Sequence, residues 1–122
     1  MENIVDTWKV DTTEHFDQWL DEQDDDMIDD VLASLKVLEQ FGPMLGRPDV
    51  DQVKGSEFHH MKELRVQSNG RPVRAFFAFD PERQAIVLCA ADKTGRNQKR
   101  FYAEMIKKAD AEYRQHLEGV KK

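Results

Sequence analysis

The chain has 122 residues, of which 39% are hydrophobic and 34% charged, with a formal net charge of −6. That length suits one ordinary domain, 1–122, and the apolar fraction supplies one modest core, which excludes a disordered chain. No apolar run reaches the roughly 18–20 residues of a membrane span, "MENIVDTWKV" does not read as a secretory signal, and a lone cysteine excludes a disulfide framework, so a cytoplasmic protein is expected.

In chain order, "NIVDTWKVD" alternates and predicts a short strand. Asp11 and Glu14 have the spacing of a capping box, and Phe16, Trp19 and Leu20 then form the stripe of a short helix. The acidic run at Asp24–Asp26 suits a second helix N-terminus. Met27, Ile28, Val31, Leu32, Leu35 and Leu38 continue at helical period until Gly42 and Pro43 stop it, which completes an αα-hairpin. Residues 42–60, rich in Gly and Pro, read as an extended connection.

The period then changes to two. "MKELRVQ" puts Leu64 and Val66 on one face and Glu63 and Arg65 on the other. Asn69-Gly70 is a hairpin turn signal, "PVRAFFAF" is the return strand, and "DPER" turns the chain again. "QAIVLCAAD" is apolar on both faces and reads as an interior, covered strand that buries Cys89 as a structural thiol. After a loop at 92–97, Asn97 caps a last helix whose apolar side is Phe101, Tyr102, Met105, Ile106, Ala109 and Tyr113. The order β-α-α-β-β-β-α is an α+β fold with an antiparallel meander.

Charge is unevenly divided. Residues 1–51 hold 15 acids and 3 bases, and residues 52–122 hold 9 acids and 15 bases. An acidic total argues against nucleic acid; the basic second half reopens that option. Walker A and Gly-rich dinucleotide loops are absent, and Lys93-Thr94-Gly95 has no Ser-x-x-Lys to accompany it. His15, His59, His60 and His116 lack ligand spacing, so neither metal nor cofactor is expected.

What remains is a set of cations on the meander and at its end. Arg65 and Arg74 flank the hairpin turn; Lys93 ends a strand; Arg96, Lys99 and Arg100 follow, with Phe101 and Tyr102 beside them. Cations with aromatic faces suit a phosphodiester chain bearing stackable bases. RNA cleavage through the 2′-hydroxyl needs charge stabilisation, which cations supply, and proton transfer, for which His59, His60, Lys93 and Tyr102 are the candidates. For Tyr102, packing against the sheet stands as an equal reading. For Arg65 and Arg74 taken singly, a cross-strand pair such as Glu63 with Arg74 is the simpler one.

The segments "HHMKELRV", "RPVRAFFAFDPERQAIVLCAADKTG" and "RFYAEMIKKADAEYRQHL" resemble the HigB branch of the RelE/ParE toxin superfamily. That resemblance implies a RelE-like fold, with an N-terminal strand and helical hairpin on a twisted antiparallel sheet. It further implies mRNA cleavage on the translating ribosome and a cognate helix-turn-helix antitoxin that forms a hetero-oligomer with the toxin. Carried over by position, it implies a catalytic set of Lys93, Arg74, Arg65 and Tyr102; beside these, Lys62, Arg96, Lys99, Arg100 and His60 are expected to bind RNA. The acidic total and the lack of an evident acid–base pair in the sequence keep open a ParE-like gyrase poison, or an inactive binding protein on the same fold.

Overall fold

The computed structural model describes residues 7–120, so Asn3–Asp6 of the first predicted strand lie outside the described residues. The elements are β1 (Lys9–Thr12), α1 (Glu14–Asp21), α2 (Asp25–Phe41), a 3₁₀ turn (Gly42–Met44), β2 (Val50–Gln52), β3 (Lys62–Ser68), β4 (Arg71–Phe79), β5 (Gln84–Asp92) and α3 (Gln98–Val120). The predicted αα-hairpin, meander and last helix are all present. The connection 42–60, read as strandless, holds β2, a three-residue strand paired antiparallel to β3.

Among the described residues the sheet has five strands in the order β1-β5-β4-β3-β2. β3, β4 and β5 form the meander, but β1 joins the far edge parallel to β5, so the sheet is mostly rather than wholly antiparallel. The two helices of the hairpin cover one face through Phe16, Met27, Val31 and Leu38 against Leu64, Val66, Val73, Ala75 and Phe77. α3 covers the other through Phe101, Met105, Ala109 and Tyr113 against Phe76, Ala78, Ile86 and Leu88. The interior strand β5 is therefore buried on both sides, as its unbroken apolar run requires.

Local chemistry explains the boundaries. The cap of α1 is Thr13, whose hydroxyl accepts from the Phe16 N–H at 3.1 Å, and not Asp11. Glu14 is itself the first helical residue, so it cannot be the reciprocal partner three positions inside the helix. Asp24 caps α2 by accepting from the Met27 N–H at 2.9 Å. Asn69 and Gly70 take φ of 52° and 78°, the positive values a tight hairpin turn demands. In the β4–β5 turn, the buried Asp80 carboxylate accepts from the Glu82 and Gln84 N–H groups and lies 2.8 Å from His116 Nε2 on α3.

Gly42 ends α2 at φ +56°, and a Cβ there would lie 2.2 Å from Trp8 Cδ1. Gly42→Ala therefore meets both backbone strain and an indole that packs edge-on against Phe79. A loss of about 2–3 kcal/mol is expected, read as a lower urea midpoint at unchanged slope. A midpoint within the error of the parent would show that Trp8 moves aside freely.

Candidate functional site

Strand alternation sends Glu63 and Arg65 of β3 to the α3 side of the sheet, and the register sets Arg65 directly opposite Arg74 of β4. Like charges facing each other across a strand pair are unfavourable. Glu63 offsets this. Its Oε1 lies 3.4 Å from Arg74 Nε and its Oε2 lies 3.5 Å from Arg65 Nη2. α3 packs chiefly on β5 and β4, and its first turns bring Tyr102 over this point. The Tyr102 hydroxyl donates to Glu63 Oε1 at 2.6 Å. Lys93, just past the end of β5, holds its ammonium 5.7 Å from the centroid of the Tyr102 ring.

Arg65, Arg74, Lys93 and Tyr102, predicted as one set, are thus brought together on one face. The arginines are partly paired with Glu63, as the cross-strand reading anticipated. The pairing does not use them up. Three cations surround one carboxylate, and the second acid, Asp51, 3.1 Å from Arg65, also serves Arg47. Arg65 Nε and Arg74 Nε are buried with no hydrogen-bond partner among the described residues. Arg74 Nε faces the Glu63 carboxylate at a distance longer than an ordinary hydrogen bond, so the ion pair leaves its donor weakly satisfied.

The electrostatics separate the roles. Burial, reinforced by the neighbouring Glu63, pushes the Tyr102 hydroxyl above its usual range, so it stays a neutral donor. Burial and the charges of Arg74 and Arg65 hold Lys93 below the ordinary lysine range, against the opposing pull of Glu63. A lysine so placed gives up its proton more readily than a free one.

The predicted RNA-binding residues divide. Lys99 lines a surface depression that begins at Tyr102. Arg100 is exposed on the first turn of α3. Arg96 is bound to Glu104 at 2.8 Å and lies over the Phe101 ring, so its charge is taken up locally. Lys62 shares strand parity with Leu64 and Val66 and belongs to the opposite face from Glu63. His60 stands 3.2 Å from the Tyr113 hydroxyl, in an aromatic group with Phe58 rather than in the arginine cluster. Burial, with the charges of His59 and Lys62, lowers its pKa.

Glu63 is the residue that sequence reasoning treated only as a strand partner. Its alternation with Arg65 was the available signal; the hydroxyl that α3 delivers to it was not. Among the described residues no three His, Cys, Asp or Glu side chains converge to hold a metal ion. Cys89 is buried, with its thiol pushed up to about 12 by that burial, and takes no part in the cluster.

The layered α+β architecture is compatible with a RelE-like fold. The chain belongs to the family described as Phage derived protein Gp49-like, whose profile matches residues 18–114 and so includes the whole cluster. It is 48% identical over 111 residues to "Putative toxin HigB2" of Mycobacterium tuberculosis strain H37Rv, a match covering 90% of this chain and 54% of that protein. It is 47% identical over 94 residues to "Putative toxin HigB3" of the same organism, covering 77% and 80% respectively. The chain thus spans about half the length of the first of these relatives and about four-fifths of the second.

Proposed function

We propose that this protein is the toxin of a toxin–antitoxin module and an endoribonuclease that cleaves mRNA on the translating ribosome, with residues 1–122 acting as one domain. The observation that carries the nuclease reading is the buried carboxylate of Glu63, bonded to the Tyr102 hydroxyl and set among Arg65, Arg74 and Lys93. The names of the relatives support the toxin reading.

In this mechanism the guanidinium groups of Arg65 and Arg74 hold the scissile phosphate. Glu63, released from the arginines by the incoming phosphate, takes the proton of the 2′-hydroxyl. The 2′ oxygen bonds to phosphorus, the bond to the 5′ oxygen breaks, and Lys93 delivers the proton that the leaving oxygen needs. The products are a 2′,3′-cyclic phosphate and a 5′-hydroxyl. Positive charge from the two arginines stabilises the phosphorane that forms between these events. A cognate antitoxin, a helix-turn-helix protein in this reading, neutralises the toxin in the cytoplasm by covering the cluster or keeping it from the ribosome.

Expression in a translating extract, followed by primer extension, tests the reading. New 5′-hydroxyl ends within translated codons are expected. Intact mRNA at toxic doses overturns it, and toxicity that instead tracks DNA supercoiling points to a gyrase poison. The pH profile checks Lys93. Its protonated form is the active one, so the rate falls as pH rises through its lowered pKa, below the ordinary lysine range. Lys93→Arg, which stays protonated, should move that alkaline limb upward; a limb that stays in place removes Lys93 as the proton donor.

A further inference from the structure

A second basic surface begins where the cluster ends. A depression runs between α3 and the loop after β2, lined by Lys54, Gly55, Lys99, Tyr102, Ile106 and Lys107. Lys99, Tyr102, Ile106 and Lys107 are spaced so that they share one side of the helix. Lys99 and Lys107 are about 12 Å apart along its axis. The floor is apolar: the Tyr102 ring and Ile106 are half-buried there. Gly55, at φ +97°, brings the loop close enough that a Cβ would meet Ile106 at 3.8 Å.

The rim is cationic. Lys54, Lys99 and Lys107 are exposed, and none lies within ion-pair distance of a carboxylate among the described residues. The one acid at the end of the depression, Asp110, is buried and already accepts from the Ser56 hydroxyl and the Glu57 N–H. Unpaired lysines over an aromatic and aliphatic floor suit a single nucleotide strand, with phosphates on the rim and a base on the floor.

We infer that this depression is a subsite for the RNA strand that runs from the Glu63 cluster, with Lys54, Lys99 and Lys107 holding its phosphates and the Tyr102–Ile106 floor taking a base. The inference rests on the nuclease reading and deepens it. Tyr102 makes the two continuous, since its hydroxyl belongs to the cluster and its ring to the floor. An acidic polypeptide would use the lysines but has no need of continuity with the cleavage cluster.

The test uses the full chain carrying Lys54→Glu and Lys107→Glu, with Glu63→Gln added to prevent cleavage. A short labelled single-stranded RNA is titrated by fluorescence anisotropy at several salt concentrations. Relative to Glu63→Gln alone, affinity should fall about tenfold or more. The slope of log affinity against log salt should shrink by about 1.4, roughly 0.7 for each phosphate no longer neutralised. Lys54→Arg with Lys107→Arg should keep both values, which separates the removal of charge from a failure to fold. Sedimentation with ribosomes lacking mRNA should be unchanged.

Equal affinity and slope in the glutamate variant overturn the subsite. So does a loss confined to ribosome sedimentation, which would assign the lysines to ribosomal RNA, or one confined to antitoxin capture, which would assign them to a protein partner. A parent chain that leaves mRNA intact in the translating extract and binds no RNA removes the nuclease reading and the subsite together. A parent that cleaves, beside a variant that binds RNA unchanged, removes the subsite alone.

Discussion

Glu63→Gln is expected to slow RNA cleavage by about 10²–10⁴-fold while tightening RNA binding, because the two effects arise from different properties of one side chain. As the base, the carboxylate must accept a proton; the amide cannot. As a charge, the carboxylate competes with the phosphate for Arg65 and Arg74, which lie 3.5 and 3.4 Å from it. Glutamine keeps the shape and offers its carbonyl oxygen to the Tyr102 hydroxyl, so the sheet and α3 stay in register. It leaves two facing arginines without their counter-charge, which costs some stability and makes an anion more welcome. Single-turnover cleavage and anisotropy, measured on one preparation, read both effects. Loss of cleavage in proportion to loss of folded protein, with binding unchanged per folded molecule, would reduce Glu63 to a strand-pairing residue.

Lys93→Ala should lower the rate by about 10²–10³-fold, the equivalent of roughly 2.7–4 kcal/mol for removing one donor to developing oxyanion charge. The loop itself should survive the change. The Lys93 N–H donates to the Pro72 carbonyl at 2.9 Å through the main chain, and Asp92 anchors Thr94 through its N–H and hydroxyl. None of these bonds involves the lysine side chain. Because Lys93 is held below the usual lysine range by burial and by Arg74 and Arg65, removing it also relieves crowding among cations, so stability should not fall. Full toxicity in Lys93→Ala, with DNA breaks or altered supercoiling, would favour the gyrase-directed alternative.

Most of the fold was legible because its signals are local. Asn69-Gly70 fixes a turn by its tolerance of positive φ, and the alternation on either side then fixes the register that faces Arg65 with Arg74. The stripe from Met27 to Leu38 and the stop at Gly42 define α2 without reference to anything distant. β2 was hidden because three residues among Gly and Pro carry no period, and their pairing depends on an edge that β3 presents. The parallel docking of β1 was hidden because no local pattern names a partner on β5.

The site divides in the same way. Alternation alone put Arg65, Arg74 and Glu63 on one face. The meeting of Glu63 with Tyr102 depends on where a helix begun at residue 98 crosses the sheet, and helical period cannot state that. Arg96 looked free because Glu104 lies eight positions on, beyond the reach of any neighbour rule, and the fold of the loop brings it to 2.8 Å. His60 looked adjacent because it precedes β3, but it turns toward Tyr113, well along α3.

The parallel edge also sets an order in time. β1 pairs with β5, and the Thr13 hydroxyl donates to the Leu88 carbonyl, 75 residues away. During synthesis the first strand therefore has no place to dock until the last strand exists, and pairings of such separation form slowly. Lys93 and Tyr102 are made later still. The cluster can assemble only when the final third of the chain has emerged, so a truncated or stalled product carries Glu63, Arg65 and Arg74 but has nothing to complete them.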